Sequence, residues 1–297
     1  MTQRQGKTTE GMGEALPPGT LYVVATPIGN LEDITLRALR VLAAVDLVAS
    51  EDTRHTGKLL GYHGIRARLV SFHEHNETER TGELIARLKS GDRVALVSDA
   101  GTPLVSDPGY RLVCAAAAEG LPVVPIPGPS SILAALCISG LPTDAFVFKG
   151  FLARKKEKRS RQLAGLKDED KTLIFFESPQ RIEALLTEAY RVIGDRQAVL
   201  CREMTKRHEE CLRGRLSELI GILSDRTQVK GECTLLIAGK GSAEDFPPER
   251  IETEIRRCMA SGEKRLSAMA RDIAKELGVP KNVVYEKALE IRRGNKR

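Results

Sequence analysis

No run in this chain approaches the roughly 18–20 consecutive apolar residues that a membrane span needs. The first 19 residues, MTQRQGKTTEGMGEALPPG, offer no apolar stretch to serve as a secretory signal. A soluble, cytoplasmic protein with no membrane partner is expected. The six cysteines, Cys114, Cys137, Cys201, Cys211, Cys233 and Cys258, are dispersed, with no C-x-x-C pair and no matching histidine spacing. Neither a disulfide framework nor a metal site is expected, and most of these thiols sit in apolar runs as small core residues. Also missing are G-x-x-x-x-G-K-[ST], G-x-G-x-x-G and G-x-S-x-G. Their absence removes the triphosphate, Rossmann-dinucleotide and nucleophile-elbow readings.

What is present is ordinary globular composition, 41% apolar and 29% charged over 297 residues. That length favours two medium domains, or two and a small one. The charge is uneven: residues 249–297 hold 13 basic and 8 acidic side chains, five of the net six positive charges. Such a basic tail fits contact with a polyanion or a solvated helical surface equally well.

Residues 20–128 alternate short β-branched runs with helical spacing. Strands are predicted over 21–25, 46–49, 68–72, 94–97 and 122–126, apolar on both faces as in a parallel sheet covered by helices. A second α/β domain with a mixed sheet follows over 129–240. Its strands are predicted over 145–152, 172–176, 198–203, 208–216 and 232–238, with helices over 181–192 and 216–223. A linker over 241–248 carries two prolines and leads to helices over 249–261, 266–277 and 281–293. Leu277-Gly278-Val279-Pro280 joins the last two with helix-turn-helix chemistry, which also suits a plain packing module. Residues 1–19 read as a flexible extension.

In open parallel sheets ligands gather at the carboxyl ends of strands, where this chain places its unusual residues. Strand one runs into Thr26-Pro27-Ile28-Gly29-Asn30, and strand two into Glu51-Asp52-Thr53-Arg54-His55, four ionisable groups where capping needs one. Strand three ends in His73-Glu74-His75, whose histidines would face opposite sides of an extended segment. Strand four gives Ser98-Asp99-Ala100-Gly101-Thr102-Pro103, then Ser106-Asp107-Pro108-Gly109. Strand five ends in Pro127-Gly128-Pro129-Ser130-Ser131.

The ordered set TPIGNLEDIT, SEDTRHTGKLL, SFHEHNE, VSDAGTPLVSDPG, PIPGPSS, KGFLARKKEKR, FFESPQR, REMTKRHEE and KGECTLLI resembles the tetrapyrrole methylase superfamily. Within it, the closer resemblance is to the branch that uses S-adenosylmethionine to methylate a cytidine 2′-hydroxyl in the decoding region of small-subunit (16S) ribosomal RNA. The resemblance spans about residues 20–240, and the helical tail resembles that branch's C-terminal extension. It implies a class III methyltransferase fold of two α/β domains with the cofactor in the cleft between them, and a homodimer. It places cofactor contacts on Pro27, Gly29, Asn30, Ser98, Asp99, Ala100, Gly101, Thr102, Pro127, Gly128, Ser130 and Ser131. From the second domain it adds Glu177, Ser178, Gly231 and Glu232. Gln180 stands where the family usually shows His, and Met204 where it usually shows Leu; the second is a volume-conserving swap.

Methylating a ribose hydroxyl calls for a base, or a cation that stabilises the developing alkoxide. Arg54 and Lys206 are expected as electrostatic groups, and Glu51 or Glu203 as orienter or base. The run Arg154-Lys155-Lys156-Glu157-Lys158-Arg159-Ser160-Arg161, with six cations, is expected to hold RNA phosphates, the alternative being a solvated loop. Two other readings compete: methylation of a tetrapyrrole precursor or of diphthine, and a ligand-sensing DNA-binding regulator.

Overall fold

A computed structural model of the chain describes residues 16–241, 248–260, 266–277 and 281–294. Most of the expected extension and linker, and the Gly278-Val279-Pro280 corner, lie outside the described residues. The chain divides into two compact units, Met1–Ser131 and Ile132–Arg297.

The first unit runs β1 (Leu21–Val24), α1 (Leu36–Ala44), β2 (Leu47–Ser50), α2 (Thr53–Tyr62), β3 (Leu69–Ser71), α3 (Glu77–Lys89), β4 (Val94–Val97), α4 (Tyr110–Ala118) and β5 (Val123–Ile126). Every strand pairing is parallel, in the order β3-β2-β4-β1-β5. Side chains alternate between faces along a strand, and both faces here are apolar. Tyr22, Val24, Val48, Ala95 and Val97 pack under Leu42 of α1 and Leu59 of α2. Leu21, Leu47, Ala49, Val94 and Leu96 pack under Leu84 of α3 and Leu112 of α4. Because the strands are parallel, all five carboxyl ends emerge at one edge of the sheet.

The second unit runs α5 (Ser131–Ser139), β6 (Phe146–Phe151), α6 (Lys156–Ala164), β7 (Thr172–Glu177), α7 (Ile182–Ile193), β8 (Gln197–Arg202), β9 (Glu210–Arg215), α8 (Leu216–Ser224) and β10 (Cys233–Ile237). Its sheet has the order β6-β7-β10-β8-β9 and is mixed as expected: β6 and β7 are parallel, the other pairs antiparallel. One face, carrying Leu173, Phe175, Leu235 and Ile237, packs against Leu163, Leu185, Leu186 and Leu219 of α6, α7 and α8.

The tail forms α9 (Pro248–Ala260), α10 (Leu266–Leu277) and α11 (Lys281–Gly294). Ile251, Ile255, Met269, Ile273, Val284 and Ile291 give these three helices an apolar cluster of their own. Among the described residues no helix is long and apolar enough to cross a membrane.

Candidate active site

Three loops at the carboxyl edge of the first sheet are tied into one assembly. Thr26 and Gly101 exchange backbone hydrogen bonds of 2.9 and 3.0 Å, and Thr26 Oγ1 donates to the Ser98 carbonyl at 3.0 Å. Ser98 Oγ lies 3.3 Å from the Ala100 carbonyl, and Thr102 Oγ1 donates to the Pro129 carbonyl at 3.3 Å. The loops after β1, β4 and β5 therefore hold one another. Gly29, Asn30, Thr102, Pro127 and Gly128 are exposed along this edge, Asp99, Ala100, Ser130 and Ser131 are half-buried, and Pro27, Ser98 and Gly101 are buried. Asn30 accepts from the Glu32 amide at 3.1 Å and caps the 3-10 turn Leu31–Asp33, which fixes the exit of the loop. Leu104 and Ser106, at φ 73° and 72°, keep the long β4–α4 loop in a left-handed backbone that non-glycine residues rarely adopt.

Acidic groups gather beside these loops. The Asp52 amide donates to Asp99 Oδ1 at 3.0 Å, linking the ends of β2 and β4. Asp52 also caps α2 through the Arg54 amide at 2.8 Å and pairs with the Arg54 guanidinium, which holds the Asp52 carboxyl down at about 2. The Arg54 side chain is 88% exposed, a surface charge rather than a buried clamp. Burial first, and the neighbouring Asp99 second, push the Glu51 carboxyl upward, with His73 opposing. Burial, then Glu51, push Asp107 up to about 6, although Ser98 hydrogen-bonds it in the opposite sense. The sequence marks Asp107 only as part of the shaped loop Ser106-Asp107-Pro108-Gly109 and gives it no acid–base role, because the loop reads as turn chemistry. The expectation for the histidines is corrected: β3 stops at Ser71, the Asn76 amide closes a turn onto the His73 carbonyl, and the His73 and His75 rings meet edge-on at 6.0 Å.

In the second unit, Lys206 Nζ bridges Glu203 Oε1 and Glu232 Oε2, each at 2.9 Å. The Glu232 amide also donates to Glu203 Oε1 at 3.1 Å. The Lys206 contact holds the Glu203 carboxyl below its ordinary value, so Glu203 is a fixed anion and a poor base. On Lys206, burial favours loss of the proton, and the bonds to Glu232 and Glu203 override it and raise its pKa. Gly231, at φ +85°, lets this cluster close: a Cβ there would lie 2.2 Å from Glu203 Cγ. Glu203 and Thr205 themselves adopt φ of 52° and 64°.

Two expectations change. Glu177 is 2% exposed, with Oε1 taking the Ser178 amide at 2.8 Å and Oε2 taking Arg181 at 2.6 Å, so its oxygens are used within the protein. It shapes the turn that presents half-buried Ser178. Arg159 is 8% exposed and paired with Glu188 at 2.7 Å, since it shares the inward face of α6 with Leu163 one turn later. Arg154, Lys155, Lys156, Lys158 and Arg161 remain exposed.

The tetrapyrrole (corrin/porphyrin) methylase profile matches residues 20–220. "Ribosomal RNA small subunit methyltransferase I" of Synechocystis sp. is 46% identical over 277 residues, covering 92% of this chain and 98% of its own. The protein of that name from Pseudomonas aeruginosa is 47% identical, covering 92% and 97%. Among solved structures, a diphthine synthase superposes with TM-score 0.58 at 20% identity, covering 75% of this chain and 90% of its own. A uroporphyrin-III C-methyl transferase from Thermus thermophilus, complexed with S-adenyl homocysteine, gives TM-score 0.54 at 21% identity, covering 74% and 97%. The chain belongs to the tetrapyrrole methylase family and groups within it with the ribosomal RNA small subunit methyltransferases I.

Proposed function

We propose that this chain transfers a methyl group from S-adenosylmethionine to the 2′-hydroxyl of a cytidine in the decoding region of 16S ribosomal RNA, acting in the cytoplasm as a homodimer on the small ribosomal subunit. The near-full-length similarity to the rRNA methyltransferases carries this reading. The donor set of the first unit fits the cofactor: exposed backbone at Gly29 and Gly128 beside exposed Pro127 suits a base and ribose, and half-buried Asp99 suits an ammonium group. When bound, S-adenosylmethionine supplies an electrophilic methyl group on a sulfonium.

The chain's own residues then orient the acceptor and handle its proton. Glu51, pushed toward the protonated form by burial and Asp99, is the better base; Glu203 is held as an anion by Lys206. Lys206, fixed by two carboxylates, is positioned without needing to move, and both it and exposed Arg54 contribute positive charge in competition with their partners, Glu203 and Glu232 for Lys206 and Asp52 for Arg54. The cations Arg154, Lys155, Lys156, Lys158 and Arg161 hold phosphates without reading sequence.

The test is transfer of a tritiated methyl group to small subunits from unmethylated cells, naked rRNA, duplex DNA and a tetrapyrrole precursor in parallel. Label on a subunit cytidine ribose is the expected result. Label on the tetrapyrrole alone, or none on any RNA despite intact cofactor binding, would overturn the reading.

A further inference from the structure

The second sheet carries an aromatic group that its core does not use. Along β6, Val147 packs into the helix-covered face, as does Leu152 just beyond the strand. Strict alternation would send Phe148 and Phe151, three residues apart, to opposite faces. A β-bulge prevents this. Phe148 pairs with Ile174, but the next partners are Gly150 with Phe175 and Phe151 with Phe176, so Lys149 is skipped. Gly150 takes φ +61°, a backbone that L side chains resist. Phe148, Phe151 and Phe176 are thereby gathered on the face away from α6, α7 and α8. Phe176 meets Phe148 at 4.9 Å and 67°, and Phe151 at 5.7 Å and 60°.

This arrangement leaves Phe151 57% exposed on an edge strand. Directly after it come the exposed cations. The intervening backbone is held at three successive residues: Arg181 Nη2 donates to the Leu152 carbonyl at 3.2 Å, the Ala153 amide to Gln162 Oε1 at 2.9 Å, and Arg159 Nη1 to the Arg154 carbonyl at 3.4 Å. The backbone that joins the ring to the cations is thus held in place. A π-face beside a row of cations matches a nucleotide, whose base stacks and whose phosphate is anionic. A second copy of this chain meeting the patch in an isologous contact would bring like charges together.

We propose that Phe151, backed by Phe176 and Phe148, is a stacking platform for an unpaired base of the RNA substrate, with Arg154, Lys155 and Lys158 on the flanking phosphates. The proposal rests on the RNA-methylating reading above and adds the element that grips a splayed nucleotide.

The experiment measures binding of a short fluorescein-labelled single-stranded RNA to the full chain across a salt series, beside S-adenosylmethionine binding and light scattering. Phe151→Ala is expected to weaken RNA binding about 5- to 100-fold, the range for losing one base stack, with the salt slope and cofactor affinity unchanged. Phe151→Trp should restore binding. Wild-type RNA affinity in Phe151→Ala, or a lower oligomeric state in that variant, would overturn the platform, the latter by showing that a second copy covers it. An unsubstituted chain that binds the cofactor but no RNA would instead sink the RNA reading, and the platform with it.

Discussion

Arg159 and Glu188 form a buried ion pair in which Nε and Nη2 both reach Oε2 at 2.7 Å, with the side chains 9% and 3% exposed. Arg191 adds a second cation 3.5 Å from Glu188 Oε1 and donates to Ser160 Oγ at 3.0 Å, pinning α7 to α6. Removing one partner of a buried pair leaves the other charge uncompensated. Arg159→Ala is therefore expected to destabilise the protein by about 3–5 kcal/mol. Lys158→Ala, one residue away and exposed, should stay within about 0.5 kcal/mol. Chemical denaturation of the two variants checks the contrast; equal effects would show that the pair stabilises nothing.

The same geometry decides which cations are free for RNA. Replacing Arg154, Lys155 and Lys158 together by Ala should lower the slope of log K against log salt by about 0.7 per cation for single-stranded RNA. Cofactor affinity should not move. An unaltered slope would make the segment a solvated surface.

Asp107 predicts a pH dependence of stability. Its folded-state value of about 6 lies above the ordinary Asp value of about 3.9, so the folded chain binds this proton more tightly than the unfolded chain. The contribution is fully present below about pH 4 and is lost as pH rises through about 6. Asp107→Asn should remove this fall and raise stability at pH 8 by about 1 kcal/mol, a figure discounted for partial exposure. Thermal melts of both proteins from pH 4 to 8 measure it, and parallel curves would refute it.

For the acid–base roles, Glu51→Gln should lower kcat by about 10²- to 10⁴-fold while leaving cofactor affinity unchanged. Glu203→Gln should act differently. It strips Lys206 of a partner, so cofactor and RNA binding are expected to change along with kcat. If Glu51→Gln retains full turnover, the base lies elsewhere.

Gly231→Ala tests the Lys206 cluster without touching a charge. The added methyl would overlap the Glu203 side chain and strain φ +85°, so a loss of about 1–3 kcal/mol is expected. Unchanged melting and turnover would show that Glu203 can move aside freely.

Short β-branched apolar runs, the helical spacing of the stretches between them, and glycine and proline punctuation determined, from sequence alone, the strand set, the parallel and mixed sheets, and the three tail helices. Local patterning also pointed to the strand ends as the candidate functional edge. Burial and pairing between residues distant in sequence were decided only by tertiary structure. Arg159 and Lys158 are chemically alike and adjacent, and only the helix face toward Glu188 separates a structural cation from a free one. Glu177 and Glu51 likewise read as strand-end carboxylates of one kind; Arg181 holds one in the core, while burial beside Asp99 raises the proton affinity of the other. The Phe148–Phe151 platform depends on a register shift at Gly150, which alternation along one strand does not encode because a bulge exists only relative to the neighbouring strand.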